Sequence, residues 1–136
     1  MKFITKEEGI QLPKRSTKHS AGYDFFAPEN ITIHPGESAT FDTKVACELD
    51  DDKVLMLYVR SSYGIKYGVT LANNTGIIDS DYFPNNIMCK LVNNGDKDLV
   101  ISKGDKFMQG VIIKYYTTED DNADGIRNGG IGSTGK

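Results

Sequence analysis

Cysteine, histidine, proline and tryptophan are scarce in this chain of 136 residues, which has two cysteines, two histidines, four prolines and no tryptophan. Two cysteines cannot build a disulfide framework. Cys47 and Cys89 each lie in an apolar stretch, so we expect small buried thiols. His19 and His34 are the only imidazoles, which leaves little from which a zinc site could be built. The possibility of a metal ion held by the oxygen atoms of a substrate stays open.

A long apolar run and an excess of positive charge are also absent. No stretch approaches the ~20 apolar residues that a bilayer crossing needs, and residues 1–10 lack the apolar segment of a secretory signal. We therefore expect a cytoplasmic protein without membrane contact. The net charge is −3, and the one basic cluster is Lys14, Arg15 and Lys18, so we expect no direct binding to nucleic acid.

Glycine and proline recur at short intervals, which suits strands and tight turns and leaves little room for helices. Residues 39–47 alternate between apolar and polar side chains, the period of a half-buried strand, and residues 54–59 are an apolar run typical of a strand covered on both faces. Asn-Asn-Gly-Asp at residues 93–96 predicts a hairpin turn. The further predicted strands are residues 3–5, 31–33, 69–71, 87–92, 99–102 and 107–116.

Many short strands in one domain predict an all-β fold, a sandwich or barrel with jelly-roll and Greek-key topologies as the leading candidates. From Thr117 the chain becomes polar and acidic, and residues 125–136 contain five glycines. Glycine loses the most backbone entropy on ordering, so we expect a mobile C-terminal tail. The chain then divides into a β domain, residues 1–116, and an acidic linker with the tail, residues 117–136.

Two segments rich in glycine and hydroxyl groups, each with an arginine, are suited to binding phosphate. One is RSSYGIKYG at residues 60–68, and the other is RNGGIGSTG at residues 127–135. Each supplies a permanent cation and backbone N–H donors, although each alone is also typical of a plain turn. The match of residues 130–136 to a P-loop is rejected, because no serine or threonine and no helix follows Lys136 in this sequence.

Asp79 is the candidate for catalysis. It follows Gly76, Ile77 and Ile78 directly, so we expect its carboxylate at the end of a strand. Ionised at neutral pH, it either orients a water molecule for attack or caps a turn, and the spacing alone does not decide between the two.

Five motifs in sequence order resemble those of the homotrimeric dUTPases. They are AGYDF at residues 21–25, RSSYG at 60–64, GIIDSDY at 76–82, GDKFMQ at 104–109 and RNGGIGSTG at 127–135. The resemblance implies a distorted jelly-roll subunit and a homotrimer, whose active sites lie at subunit interfaces and use motifs from all three chains. It also implies dUTP diphosphatase activity, the hydrolysis of dUTP to dUMP and pyrophosphate, which limits uracil incorporation into DNA and supplies dUMP for dTMP synthesis.

The same resemblance implies a role for each motif residue, with Mg²⁺ as cofactor bound through substrate phosphates and water and with no direct protein ligand. Asp79 is the general base that orients water toward the α-phosphate. Tyr82 packs under the deoxyribose and leaves no space for a 2′-hydroxyl; Asn73 contacts uracil, and backbone groups after Tyr82 complete the base pocket. Asp24 has a supporting role near the metal and the phosphates. The other expected substrate contacts are Arg60, Ser61, Ser62, Gly64, Gln109, Arg127, Ile131, Gly132, Ser133 and Thr134.

Three positions depart from the family pattern. Ile131 stands where the family has a phenylalanine that stacks over the base, so we expect a smaller aliphatic contact and weaker substrate affinity. Phe-Pro-Asn-Asn at residues 83–86 replaces a shorter turn that contains glycine. Lys106 replaces an arginine and keeps the charge without the bidentate fork.

Other interpretations stay open. A deoxycytidine triphosphate deaminase has the same fold but uses a glutamate, and residues 79–81 are Asp-Ser-Asp. From other functional classes, the alternatives are a phage-type dUTPase that binds a host repressor and a noncatalytic jelly-roll subunit. Release of pyrophosphate from dUTP indicates the hydrolase, release of ammonia indicates the deaminase, and the absence of both indicates a binding protein.

Overall fold

The computed structural model describes residues 1–135, and Lys136 at the end of the predicted tail lies outside them. Across these residues the chain forms eleven strands, one α-helix and one short 3₁₀ helix. The strands are β1 (Lys2–Ile4), β2 (Tyr23–Phe26), β3 (Ile31–Ile33), β4 (Ser38–Asp42), β5 (Ala46–Glu48), β6 (Lys53–Val59), β7 (Val69–Leu71), β8 (Gly76–Ile78), β9 (Met88–Asn93), β10 (Leu99–Ile101) and β11 (Lys106–Lys114). The α-helix is α1 (Ser61–Tyr67), and the 3₁₀ helix is Ser80–Tyr82. No helix in this part of the chain is long and apolar enough to cross a membrane.

The strands pair in antiparallel fashion in two larger and two smaller sheets. The larger sheets run in the orders β2-β11-β6-β8 and β4-β9-β7, and the smaller ones pair β1 with β5 and β3 with β10. They enclose one apolar core, whose most deeply buried side chains include Phe25, Leu55, Leu91 and Phe107. The prediction of an all-β, jelly-roll type of fold is confirmed.

Two glycines allow β6 to lie close to its neighbours. A Cβ atom on Gly110 in β11 would be 2.7 Å from Leu55 Cδ1, and one on Gly76 in β8 would be 2.9 Å from Leu57 Cβ. Any side chain at either glycine would push its strand away from β6, because core packing leaves no free volume there. The two glycines therefore allow β8 and β11 to lie close to β6 in the observed register.

Most of the predicted strands are confirmed with their ends shifted by no more than two residues. The single strand predicted over residues 39–47 is wrong, because β4 and β5 are separated by a turn. Lys44 in this turn has a φ of 63°, and its N–H donates to the Asp42 carboxylate at 2.7 Å. The apolar alternation continues through the turn because the side chains of Thr43 and Val45 are both buried in the core. Strand β2 was not predicted.

Helix α1 was not predicted either, because its glycine and serine residues are typical of a turn. Tyr63 anchors the helix by packing its ring into the core. Gly68 ends it with a φ of 66°, in the left-handed region that glycine adopts at low cost, and donates its N–H to Gly64. Tertiary packing thus decides the conformation of a segment whose composition favours a loop.

Asn93, the last residue of β9, is a fully buried polar side chain. The predicted hairpin at residues 93–96 is wrong, because β9 pairs with β4 and β7 whereas β10 pairs with β3. The Asn93 side-chain amide donates to the carbonyl groups of Ile33 and Lys97, both at 2.8 Å. Its side-chain oxygen accepts the N–H of Gly95 at 3.0 Å. One fully buried side chain therefore ties β9 to β3 in another sheet.

We expect Asn93→Asp to lower the free energy of unfolding by about 2–4 kcal/mol at neutral pH, because a carboxylate cannot donate to the two carbonyl groups and its charge would be buried. Asn94→Asp is the matched control, since the neighbouring Asn94 side chain is exposed and bonds only Thr70 at 3.1 Å among the described residues. Urea denaturation measures both. Equal losses for the two variants would contradict the role assigned to Asn93.

Candidate functional site

A cleft of about 590 Å³ opens between the loop that joins β7 to β8 and the strands β4 and β9. Buried apolar side chains of Leu57, Leu71, Cys89 and Met108 line its floor. Three groups of predicted site residues contribute to its walls: Asn73 from the loop between β7 and β8, Asp79 and Tyr82 after β8, and Arg127 and Ile131 from the tail. We call this space the main cleft. It joins an apolar floor to a polar rim, as small-molecule sites do.

Asp79 lies where the sequence predicted it, directly after β8 and at the start of the 3₁₀ helix. Its side chain makes no capping hydrogen bond to that helix, so the alternative that it merely caps a turn does not hold. The carboxylate is 49% exposed and borders the main cleft. Its Oδ2 accepts a hydrogen bond from Arg127 Nη2 at 2.6 Å. Asp79 is therefore accessible from the cleft and ionically paired.

Tyr82 is held from two sides. Its hydroxyl donates to the carbonyl of Asn86 at 3.0 Å, and the Asn86 side chain in turn donates to the Asp42 carboxylate at 3.2 Å. On the other side the tail crosses the ring at Gly130, where a Cβ atom would be 2.6 Å from Tyr82 Cε1. The expectation that backbone groups after Tyr82 complete the base pocket stays a prediction. Asn85 and Asn86 brace the tyrosine, and further along the chain Met88–Lys90 of β9 line the cleft together with the loop before β8.

The tail folds back onto this rim, and its residues differ in how close they come. Arg127 and Gly130 contact the rim, and Ile131 borders the cleft although its side chain is 90% exposed. Gly132, Ser133 and Thr134 form a turn outside the cleft lining, in which the Ser133 N–H donates to the Gly130 carbonyl at 3.0 Å. The structure therefore brings together only part of the predicted tail contacts.

A second group of charges lies at the other end of β6 and involves Asp24, Arg60 and Lys106. Asp24 Oδ2 is 3.1 Å from Lys106 Nζ, and Asp24 Oδ1 is 3.7 Å from Arg60 Nε. Ser16 donates to the same carboxylate at 2.7 Å. One carboxylate between two cations leaves an excess of one positive charge, which favours an anionic ligand. We call these three residues the cationic cluster.

The pKa of Asp24 lies below its ordinary value of 3.8. Partial burial alone would raise this pKa, but the hydrogen bonds from Ser16 and Lys106 and the charges of Lys106 and Arg60 outweigh it. Asp24 is therefore ionised at neutral pH and holds both cations in place.

The other predicted phosphate contacts lie near this cluster. Gln109 pairs with Asp24 across β11 and β2, so both side chains stand on one face of the sheet. A Cβ atom on Gly22 would be 2.6 Å from Gln109 Oε1, so the glycine makes room for that amide. Ser61 and Ser62 begin α1, whereas Gly64 already donates its N–H to the Arg60 carbonyl at 3.1 Å. The Gly64 amide is thus engaged within the chain.

Sequence reasoning missed Asp81, which bonds Arg127 Nε through Oδ1 at 2.6 Å. A second carboxylate two residues after Asp79 was the available signal, but its partner lies in the tail, distant in sequence.

The buried thiols agree with the prediction. Burial raises the pKa of Cys89 to about 12 and that of Cys47 to about 11, so neither is a nucleophile at neutral pH.

Comparison with known proteins places these features in a family. The family model described as dUTPase matches residues 8–135. Deoxyuridine 5′-triphosphate nucleotidohydrolases from Lactococcus lactis and Desulfitobacterium hafniense are 39% and 33% identical, over 96% and 98% of this chain and 91% and 93% of theirs. The dUTPase of Streptococcus mutans superposes with a TM-score of 0.77 at 32% identity, covering 86% of this chain and 98% of that one. A mutant dUTPase of phage phi11 of S. aureus, described as coordinating a structural Mg(II) ion, has a TM-score of 0.79 at 25% identity and covers 91% and 96%.

We expect Asp24→Asn to lower the free energy of unfolding by about 1 kcal/mol at pH 7, because Lys106 and Arg60 lose their anion. A carboxyl group whose pKa is lower in the folded protein than in the unfolded chain stabilises the folded state. This stabilisation is complete above the pKa of the unfolded state and is lost as the pH falls through the pKa of the folded state. The difference between wild type and variant should therefore shrink below about pH 4. Urea denaturation at several pH values between 7 and below 4 measures this difference, with Asp120→Asn in the exposed linker as the control. A difference independent of pH would contradict the assignment.

Proposed function

The chain belongs to the dUTPase family and is a dUTP diphosphatase, and we propose that Asp79 is the general base of its reaction. The observation that carries this assignment is a half-exposed carboxylate that makes no capping hydrogen bond and borders the main cleft beside Tyr82 and Asn73. Asp79 orients a water molecule and takes one of its protons. The water oxygen forms a bond to the α-phosphorus, the bond from that phosphorus to the bridging oxygen breaks, and pyrophosphate leaves. Removing dUTP limits uracil incorporation into DNA, and the dUMP formed serves dTMP synthesis.

The main cleft is our candidate for the base and sugar site. Its apolar floor suits a pyrimidine face, and Asn73 on the loop between β7 and β8 supplies an amide for the edge of uracil. A buried, fixed set of donors and acceptors rejects a base with the wrong pattern by ~10⁴-fold or more, since the mismatch leaves polar groups unpaired. Tyr82, braced by Asn86 and by the tail, forms a rigid wall for the deoxyribose and excludes a 2′-hydroxyl.

The cationic cluster is our candidate for the phosphate chain. Arg60 and Lys106 supply charge, Ser61, Ser62 and Gln109 supply hydrogen-bond donors, and Asp24 holds the cations in position. In-line attack on a triphosphate builds negative charge on the nonbridging and leaving oxygens, so fixed donors and cations lower the barrier. Gly64 keeps a structural role in this proposal, because its N–H already donates to the Arg60 carbonyl.

Asp79 and the cationic cluster of one chain are too far apart to act on one triphosphate. Ile78 pairs with Leu55, so Asp79 lies level with Val54, while Arg60 is six residues further along. At about 3.3 Å per residue the two ends are about 20 Å apart, whereas the α and γ phosphorus atoms of a triphosphate lie much closer together. This separation supports a site completed by a second copy of the chain.

We propose that the copies assemble as a homotrimer with active sites at the subunit interfaces, drawing motifs from all three chains. The face of the β2-β11-β6-β8 sheet opposite the core supports this assembly. Met56, Ile77 and Val111 form a row across that face, and Ile77 is 55% exposed. An apolar row of this kind on a sheet is suited to burial against another copy.

Mg²⁺ fits the donor set as an ion bound through phosphate oxygens and water. Among residues 1–135 no three histidine, cysteine, aspartate or glutamate side chains converge as metal ligands. Mg²⁺ retains several waters and takes oxygens from substrate phosphates, so it needs no protein cage. Bound in this way it would neutralise charge on the phosphate chain. The phage relative with a structural Mg(II) ion supports an affinity of the family for this metal.

The tail completes the proposal. We infer that residues 117–136 act as a strap, with Arg127, Gly132, Ser133 and Thr134 closing on the γ end of the phosphate chain and Ile131 covering the base. Glycine-rich segments close over substrates at an entropic cost that binding offsets. A cytoplasmic location and, for a phage-encoded chain, a repressor partner stay predictions.

Replacing Asp79 with asparagine tests the assignment of the base. We expect kcat to fall by about 10²–10⁴-fold, the usual contribution of a general base, with little change in the affinity for a nonhydrolysable dUTP analogue. Pyrophosphate release in the presence of Mg²⁺ measures turnover. Asp96→Asn, in the turn after β9, is a control for the loss of one carboxylate. Near-normal turnover of the Asp79 variant would overturn the assignment.

A further inference from the structure

Asn86 connects Tyr82 to a strand of the neighbouring sheet. The Tyr82 hydroxyl donates to the Asn86 backbone carbonyl at 3.0 Å, and the Asn86 side-chain amide donates to Asp42 Oδ2 at 3.2 Å. Asp42 is the last residue of β4, whereas residues 83–87 belong to no helix or strand. The carbonyl that receives the Tyr82 hydroxyl therefore lies in an irregular segment, and the side chain of Asn86 ties this segment to β4.

Asp42 is itself fixed by the turn that follows β4. Its Oδ1 accepts the backbone N–H of Lys44 at 2.7 Å, and the Lys44 ammonium is 3.7 Å from its Oδ2. The N–H of Thr43 donates to the Ile87 carbonyl at 3.0 Å, and the N–H of Ile87 donates to the Val45 carbonyl at 2.8 Å. The turn that carries the carboxylate and the segment before β9 are therefore fixed relative to each other.

Asp42 and Asn86 do not line the main cleft, whereas Tyr82 does. Any influence of the pair on a nucleotide in the cleft therefore passes through the tyrosine. The Tyr82 N–H donates to the Asp79 carbonyl at 3.1 Å, so the residue is anchored at its backbone as well as at its hydroxyl. A ring fixed at both ends stays against the cleft, but a ring released at its hydroxyl can swing about its Cα–Cβ bond.

We propose that Asp42 and Asn86 are positioning residues that set the selectivity for deoxyribose over ribose by holding the Tyr82 ring against the sugar. This inference rests on the proposed function, in which Tyr82 excludes a 2′-hydroxyl. A ribonucleotide reacts only from the minor state in which the ring is displaced, so its kcat/KM follows the population of that state. A deoxyribonucleotide reacts from the major state, so its kcat/KM depends little on the hydrogen bond between Asn86 and Asp42.

The first test compares dUTP with UTP, with pyrophosphate release in the presence of Mg²⁺ as the measurement. Asn86→Asp opposes two carboxylates and Asn86→Ala removes the donor, and both variants keep the backbone carbonyl that Tyr82 uses. We expect each to lower the ratio of kcat/KM for dUTP to that for UTP by about twofold to tenfold, the contribution of one hydrogen bond, through faster turnover of UTP.

Asn85→Asp is the matched control, because it adds the same charge at the neighbouring exposed position. It should change the two substrates alike and leave the ratio as in the wild type. An unchanged ratio in both Asn86 variants, or an equal loss of selectivity in the control, would overturn the proposal.

The second test exchanges the two partners and so separates the hydrogen bond from a change in charge. In the variant with both Asp42→Asn and Asn86→Asp, the amide introduced at residue 42 accepts the Lys44 N–H and donates to the carboxylate at residue 86. The hydrogen bond is restored with its direction reversed, so we expect the selectivity of the wild type and a coupling between the two positions. A double variant as unselective as Asn86→Asp would contradict the assignment.

The wild-type ratio separates this proposal from the proposed function. Hydrolysis of UTP as readily as dUTP by the wild type would mean that Tyr82 does not exclude ribose, and both proposals about the tyrosine would be wrong. A wild type that discriminates, with Asn86 variants that discriminate equally well, would overturn only the role of Asp42 and Asn86, while those of Asp79 and Tyr82 would stand.

Discussion

The pairing of β6 with β8 on one side and β11 on the other determines where this molecule can do chemistry. Ile78 lies opposite Leu55 and Met108 opposite Val59, so Asp79 emerges near the start of β6 while the cationic cluster forms beyond its end. Because an extended strand cannot shorten, side chains of one chain cannot bring these two ends together. Gly76 and Gly110 allow both neighbouring strands to lie close to the leucine side chains of β6. The proposed division of the site between subunits thus follows from the sheet.

The charged side chains differ between the cationic cluster and the rim of the main cleft. The cationic cluster has an excess of one positive charge, whereas the rim of the main cleft carries the carboxylates of Asp79 and Asp81. Arg127 offsets part of this negative charge, so the rim is not strongly repulsive to a triphosphate. A chain with a net charge of −3 can therefore bind a polyanion, because the local arrangement of charges dominates over the total.

The sequence was sufficient for the all-β architecture and for the position of Asp79, because strand periodicity and a carboxylate after an apolar run are local signals. It was not sufficient for α1, where Tyr63 packing into the core overrides a composition typical of a turn. The break at Lys44 was hidden, since apolar residues continue to face the core on both sides of it. The partnership of Arg127 with Asp81 depends on how the tail folds back, and no local pattern encodes that contact.

The central claim is that each active site combines Asp79 of one subunit with Arg60 of another. The direct measurement is dUTP turnover of mixed assemblies formed from an Asp79→Asn chain and an Arg60→Ala chain with different tags. Random mixing in equal amounts should restore about one quarter of the wild-type rate, because that share of sites pairs two intact residues. Mixed assemblies that are isolated by both tags and remain as inactive as either parent would contradict the account.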